Sequence, residues 1–162
     1  MTAGLFIGRF QPFHNGHLAD IKLALKEVDQ LIIGIGSSQH EKTKDNPFSF
    51  EERARMIENV LIKEEISNYT IFPIPDFNND KKWVEHLEVL LPKFKIIYSG
   101  NDRVLNIFKP IKKFKTKRLE LIDNISSTKI RNFIKEGKQW EKLVPKEIVE
   151  YIKKIDGTKR IK

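Results

Sequence analysis

The chain contains no cysteine, which excludes disulfides, thiolate metal sites and a cysteine nucleophile. Its eight glycines nowhere form Gly-x-Gly-x-x-Gly, and no Gly-Lys-Ser/Thr occurs. Neither the dinucleotide fingerprint nor a P-loop is therefore present. No apolar run approaches the roughly 20 residues that span a bilayer. A cleaved leader would remove the segment at residues 8–17 described below, so a cytoplasmic protein without a membrane partner is expected. Interleaved aromatic platforms and RNA-binding motifs are also missing, which argues against a nucleic-acid partner.

At 162 residues, 40% hydrophobic and 32% charged, the chain suits one domain, residues 1–162, with a proper core. Its net charge of +8 is uneven. Residues 1–92 carry 10 Lys/Arg against 14 Asp/Glu, whereas residues 93–162 carry 20 against 8. A basic half of this size attracts anionic nucleotides or nucleic acid, or is simply a lysine-rich solvated surface. Charge alone does not decide among them.

Apolar runs and helical periodicity alternate along the chain. Strands are expected at Leu5–Ile7, Leu31–Ile35, Tyr69–Ile74, Phe94–Tyr98 and somewhere within Thr116–Ile122. Between them, Leu18, Ile21, Leu25 and Val28 recur at helical spacing. Ser49-Phe50-Glu51-Glu52 reads as a capping box opening a helix that buries Ala54, Ile57 and Leu61. Further helices are expected at Trp83–Leu91, stopped by Pro92, near Arg103–Phe108, and at Ser127–Glu136 with Gly137 as its C-terminal cap. Pro145 suits the first residue of a final helix burying Ile148, Val149, Ile152 and Ile155. The alternation predicts an α/β fold: a Rossmann-like, open, mainly parallel sheet with helices on both faces. Such sheets bind ligands beyond the carboxyl ends of their strands, where the segments 8–17, 36–53, 75–83, 99–103 and 123–131 fall.

Two of these segments carry cations and small polar residues. Gly8-Arg9-Phe10-Gln11-Pro12-Phe13-His14-Asn15-Gly16-His17 places two histidines three residues apart at the mouth of a helix, directly after an apolar strand. Helix N-termini present unpaired N–H groups and partial positive charge, so two imidazoles and an arginine added there suit a polyphosphate. No third metal ligand lies nearby, since His40 and His86 fall elsewhere, and a protein-held metal is not expected. In Ile125-Ser126-Ser127-Thr128-Lys129-Ile130-Arg131 the hydroxyls can cap a helix start, while Arg131 lies one turn in and can reach the same anion.

His-x-Gly-His after a first strand is the signature of the nucleotidylyltransferase superfamily, and both motifs together resemble the archaeal-type nicotinamide-nucleotide adenylyltransferases. The resemblance runs along most of the chain, through Ile33–Ser38, Asn46-Pro47-Phe48 leading to Glu52-Arg53, Trp83, Tyr98–Asn101 and Trp140–Pro145. It implies an enzyme that condenses nicotinamide mononucleotide (NMN) with ATP, releasing NAD and pyrophosphate, with Mg²⁺ carried on the ATP. It further implies that Arg9, His14, His17 and Arg131 hold the ATP phosphates, with His14, His17 and Arg131 catalytic. Gly8 and Phe10 would add backbone contacts, and Ile125, Ser126, Ser127 and Thr128 would seat ATP. Arg53 would bind phosphate near the NMN, and Trp83 would stack on the nicotinamide ring. An asparagine of the family pattern maps to Asn79 or is replaced by Asp80. A homo-oligomer is the family's usual state. Three rivals remain at this stage: a transferase of the same scaffold acting on phosphopantetheine, FMN or glycerol phosphate, a basic nucleic-acid-binding module, and a catalytically dead homologue.

Overall fold

The computed structural model describes residues 1–162. Its secondary structure is β1 (Ala3–Gly8), α1 (Asn15–Ala24), β2 (Gln30–Ile35), α2 (Phe50–Lys63), β3 (Tyr69–Pro73), α3 (Asp80–Leu90), β4 (Ile96–Ser99), α4 (Asp102–Phe108), β5 (Lys115–Arg118), α5 (Ser127–Lys135), a 3₁₀ turn (Glu141–Leu143), α6 (Lys146–Lys154) and α7 (Gly157–Ile161). The chain folds into two compact units built from interleaved segments. One comprises Met1–Gly8, Asp20–Ser38 and Asn68–Glu120; the other comprises Arg9–Ala19, Gln39–Ser67 and Leu121–Lys162.

The first unit holds a five-stranded sheet in the order β3-β2-β1-β4-β5, with every pairing parallel. The chain runs outward from β1 to β3, then restarts on the other side of β1 with β4. This is the reversal of the Rossmann-like α/β fold, and the crevice that binds ligands in such sheets lies at that point. Register follows from side-chain alternation. Leu5 pairs with Ile32 and Ile97, while Phe6 pairs with Ile33 and Tyr98, so successive residues of β1 serve opposite faces. Leu5, Ile7, Ile32 and Ile97 pack with Val84 and Leu87 of α3 and Phe108 of α4. No helix is long and apolar enough to cross a membrane.

Several elements differ in extent from the sequence expectation. The last strand spans Lys115–Arg118 and stops short of Leu119–Ile122. Its lysines are tolerated because an edge strand leaves one side to solvent, where charge also deters pairing with another chain. The first helix ends at Ala24, so Leu25 lies in the turn that follows and Val28 just beyond it. Ala54, Val149 and Ile155 are half-buried; in α2 the fully buried neighbour of Ala54 is Arg53. Pro145 caps α6 from outside, and α6 is not the final helix, because α7 follows after Asp156 turns through a left-handed conformation at φ 54°. The Ser49–Glu52 capping box forms reciprocally, as read.

Phe108 is fully buried, with rings of Trp83, Phe94 and Phe114 at centroid distances of 5.9, 6.4 and 5.4 Å. Phe108→Ala should lower unfolding free energy by about 3–5 kcal/mol, measured by urea titration, because the rings around it cannot collapse into the void.

Candidate functional site

The second unit gathers Arg9, Phe10, His14, His17, Arg53, Ile125–Thr128 and Arg131. The chain leaves β1 through Gly8 and turns at Phe10, which holds a left-handed φ of 54°. A non-glycine residue there costs on the order of 1–3 kcal/mol. Burial offsets it: Phe10 is 1% exposed, edge-on to His17 at 4.7 Å and 5.9 Å from Phe13. A cis peptide links Gln11 to Pro12.

Irregular backbone of this kind leaves carbonyls without ladder partners, and buried carbonyls must find donors. Here side chains supply them. Arg53 Nη1 donates to the Arg9 carbonyl at 2.8 Å, and its Nε donates to the Ser49 carbonyl at 3.1 Å. Arg131 Nη1 donates to the Gln11 carbonyl at 2.8 Å. Ser127 Oγ donates to the Pro12 carbonyl at 2.8 Å. The two motifs, some 115 to 120 residues apart in sequence, are thus joined by direct hydrogen bonds. Ser126 caps α5 by accepting from the Lys129 N–H, and Thr128 Oγ1 receives a weaker contact from Arg131 Nη2 at 3.4 Å.

The histidines form a reciprocal cap on α1. The His14 carbonyl accepts the first helical bond, from the Leu18 N–H. The His17 N–H donates to His14 Nδ1 at 3.3 Å, and the His14 N–H donates to His17 Nδ1 at 3.2 Å. This is the capping-box pattern with imidazoles in both roles. The rings stack at 3.6 Å, tilted by 19°. A glycine is needed between them, since a Cβ on Gly16 would lie 2.9 Å from His14 Cε1. Because each Nδ1 accepts, each neutral ring carries its proton on Nε2 and can donate from there. Burial pushes His14 down to about 4, and burial followed by the neighbouring His14 holds His17 well below the usual histidine range. At neutral pH the pair is therefore a set of uncharged N–H donors.

The positive charge comes from arginine. Arg131 is 4% exposed, and burial, then repulsion from Arg9, lowers its proton affinity against a smaller opposing pull from Asp45. Arg9 is exposed, with Nη1 at 3.5 Å from Asn46 Oδ1. Two guanidiniums close enough to repel, beside two neutral N–H donors and a helix N-terminus, make a site for a multivalent anion. Donors of this kind suit phosphate oxygens rather than a hard cation, which prefers carboxylate and carbonyl oxygen.

Trp83, Asn79 and Gly8 belong to the first unit. The Trp83 indole is partly buried beside Phe108, and its Nε1–H donates to the Pro75 carbonyl at 3.1 Å. Asn79 caps α3 by accepting from the Lys82 N–H, while Asp80 pairs with Arg103. The Gly8 carbonyl accepts from the Gly36 N–H.

Sequence reasoning missed Gln11. Its buried amide brackets Phe48, donating to the Phe48 carbonyl at 2.9 Å and accepting from the Phe48 N–H at 3.0 Å. The available signal was a lone amide among Phe10, Pro12 and Phe13, because a glutamine in apolar surroundings must find partners.

The cytidylyltransferase-like family model matches residues 5–133. The nicotinamide-nucleotide adenylyltransferase of Thermoplasma volcanium is 44% identical over 96% of this chain and 88% of that protein. The protein of the same name from Pyrococcus furiosus is 40% identical over all of this chain and 88% of its own length. Among solved structures, a bifunctional NMN adenylyltransferase/ADP ribose pyrophosphatase from Francisella tularensis, complexed with AMP and a manganese ion, superposes with a TM-score of 0.81 at 27% identity. The match covers 99% of this chain and 51% of that one, so the present chain spans about half its length.

The histidine cap makes stability pH-dependent. In the unfolded chain His14 takes up a proton near pH 6.5, whereas folded it resists protonation to about 4. The unfolded state therefore binds more protons in this window, and stability falls as pH drops through it, by about 3 kcal/mol for this group. His14→Asn retains an N-cap acceptor without the titration. It should lose correspondingly less stability between pH 7 and pH 4 in urea titrations, with His17 leaving part of the acid sensitivity.

Proposed function

Since the chain belongs to the cytidylyltransferase-like family, we propose that it condenses NMN with ATP to form NAD and pyrophosphate, as one catalytic domain. The observation that carries this reading is the junction of the two motifs: Arg131 held on the Gln11 carbonyl, with Arg9, His14 and His17 in the same compact unit. Relatives named for this activity align along nearly the whole chain.

The 5′-phosphate of NMN is mostly ionised at neutral pH, because its second pKa is about 6. It needs no general base. One of its oxygens attacks the α-phosphorus of ATP in line; the new P–O bond forms as the bond to the β-bridging oxygen breaks, and that oxygen leaves with the electron pair on pyrophosphate. Catalysis consists of alignment and of stabilising charge on the oxygens. His17 donates through Nε2–H to the α-phosphate. His14, Arg9 and Arg131 hold the β- and γ-phosphates, with Gly8 and Phe10 offering main-chain contacts and the Ile125–Thr128 turn seating the nucleotide. To Arg53 we assign the acceptor's phosphate, served through its charge and its grip on the Arg9 carbonyl. Trp83 stacks on the nicotinamide ring, and Asn79 is a second recognition group for NMN. ATP enters as its complex with a divalent cation, Mg²⁺ in the cell, which neutralises phosphate charge. A cytoplasmic homo-oligomer that binds no nucleic acid completes the proposal.

The test is pyrophosphate release from MgATP with a panel of acceptors: NMN, nicotinic acid mononucleotide, phosphopantetheine, FMN and glycerol phosphate. NMN should react fastest; a faster phosphopantetheine, FMN or glycerol phosphate reaction would replace the substrate. His17→Ala should lower kcat by about 100-fold with little change in KM for ATP, the loss of roughly 3 kcal/mol of transition-state stabilisation. Weaker ATP binding at normal turnover would remove His17 from the chemistry. Trp83→Ala should raise KM for NMN, and an unchanged value would sink the stacking role.

A further inference from the structure

The last helix, α7, packs on α5 and α6, and its Arg160 and Gly157 also reach the turn that opens α2. Arg160 Nη1 bonds Glu52 Oε2 at 2.6 Å and donates to the Pro47 carbonyl at 3.3 Å. Glu52 is the acidic member of the α2 capping box, and the same Oε2 accepts from the Ser49 N–H at 2.9 Å. Arg160 thereby grips both sides of the Pro47–Glu52 turn. Between them sits Phe48, which is fully buried. Its ring lies against the backbone of α7 so closely that a Cβ on Gly157 would be 2.8 Å from Phe48 Cε1 and 3.1 Å from Ile152 Cγ2. Ile161, also fully buried, anchors the other end of the helix.

The position of Phe48 matters because both of its main-chain polar groups are held by the Gln11 amide. The Gln11 carbonyl holds Arg131. A parallel route runs from Glu52 to Arg53, its neighbour on α2, and from Arg53 to the Arg9 carbonyl. Phe48, Gln11, Arg53 and Arg131 along these routes are buried, Arg160 and Glu52 partly so, and close packing around the buried members leaves little slack to absorb a shift.

We propose that α7 is a positioning element of the phosphate site: Arg160 and Gly157 set Phe48 and the first turn of α2, and through them Gln11, Arg131 and Arg9. The inference rests on the phosphate-binding reading above and adds to it residues 157 and 160, which neither motif contains. Arg160 is a positioning residue. Its removal changes where the phosphate donors stand, not which donors are present.

The test uses the full chain carrying Arg160→Met, Arg160→Lys or Gly157→Ala, with Lys159→Met, an exposed residue of the same helix, as control. Misplacement of the order of 1 Å far from the chemistry costs about 100-fold, and a loop shifted through intermediates should lose about tenfold. Arg160→Met is therefore expected to lower kcat by about tenfold, with circular dichroism native at the assay temperature. Arg160→Lys should recover most of the loss and Lys159→Met should show none. Gly157→Ala should reproduce the kcat defect, and it stands in for Arg160→Met should that variant fail to fold. Pyrophosphate affinity, measured by calorimetry, reads the same loop without turnover and should weaken in step with kcat. A wild-type protein that transfers no adenylyl group would overturn the functional reading alone. Unchanged pyrophosphate affinity and kcat in folded Arg160→Met and Gly157→Ala, with only a lower Tm, would overturn the positioning role.

Discussion

Three carbonyls of irregular backbone, at Arg9, Gln11 and Pro12, must be answered for this site to exist. Arg53, Ser127 and Arg131 answer them. The bond to Gln11 is buried and the other two partly so; a buried carbonyl without a donor costs about 1–3 kcal/mol, a large share of a small protein's total stability. The fold therefore cannot form this loop without bringing α2 and α5 to it. That requirement places two arginines of the second unit beneath the segment that bears Arg9, His14 and His17. Assembling the anion site is, in this sense, a by-product of satisfying the main chain. Arg131 serves both ends: one N–H group is committed to Gln11, which fixes the plane of the guanidinium and the direction of its other donors.

The histidine cap works alongside this. A helix N-terminus needs acceptors, and a phosphate site needs donors. An imidazole with Nδ1 turned to the backbone and its proton on Nε2 supplies one of each. Because burial keeps both rings uncharged, they add hydrogen bonds without adding to the repulsion that Arg9 and Arg131 already exert on each other. On the proposed function an incoming anion would relieve charge held by the arginines and meet rings whose orientation is set in advance. Preorganised donors of this kind stabilise developing charge without having to reorient as the reaction proceeds.

What was legible in the sequence shares one property: it is local. The Ser49–Glu52 box, the Ser126 cap, Gly137 at φ 68° and the His-x-Gly-His turn each declare themselves within four or five residues. The strand–helix alternation is local too, and it sufficed for a parallel sheet, though not for the order of its strands. Illegible were partnerships between distant segments. Nothing near Gln11 indicates Phe48, 37 residues on, and nothing near Arg160 indicates Glu52, 108 residues back. Helix α7, with five residues, is too short to show a period, and β5, reading Lys-Thr-Lys-Arg, has no apolar residue to alternate, since all but Thr116 are exposed. Arg53 illustrates the difficulty best. An arginine at the start of a helix reads as a surface cation, yet here its hydrogen bonds to backbone carbonyls make it one of the largest fully buried side chains in the molecule.

The same contrast bears on the net charge of the second half. Much of it is exposed and locally matched: Lys113 with Glu88, Lys117 with Glu27 on a carboxylate that also accepts from the Tyr98 hydroxyl, and Arg118 with Asp102. Exposed pairs of this sort contribute about 0–1 kcal/mol, and their field fades within a Debye length of about 8 Å at physiological salt. Lysines outside such pairs raise the local concentration of any anion, whatever its shape. Arg131 differs in kind. It is buried and its plane is fixed by the Gln11 carbonyl, so in the proposed role it would favour an anion of one geometry over the rest. Adding or removing surface lysines would therefore alter encounter rates and salt dependence, while on the proposed function the grip on a phosphate chain would reside in a handful of residues that contribute little to the total charge.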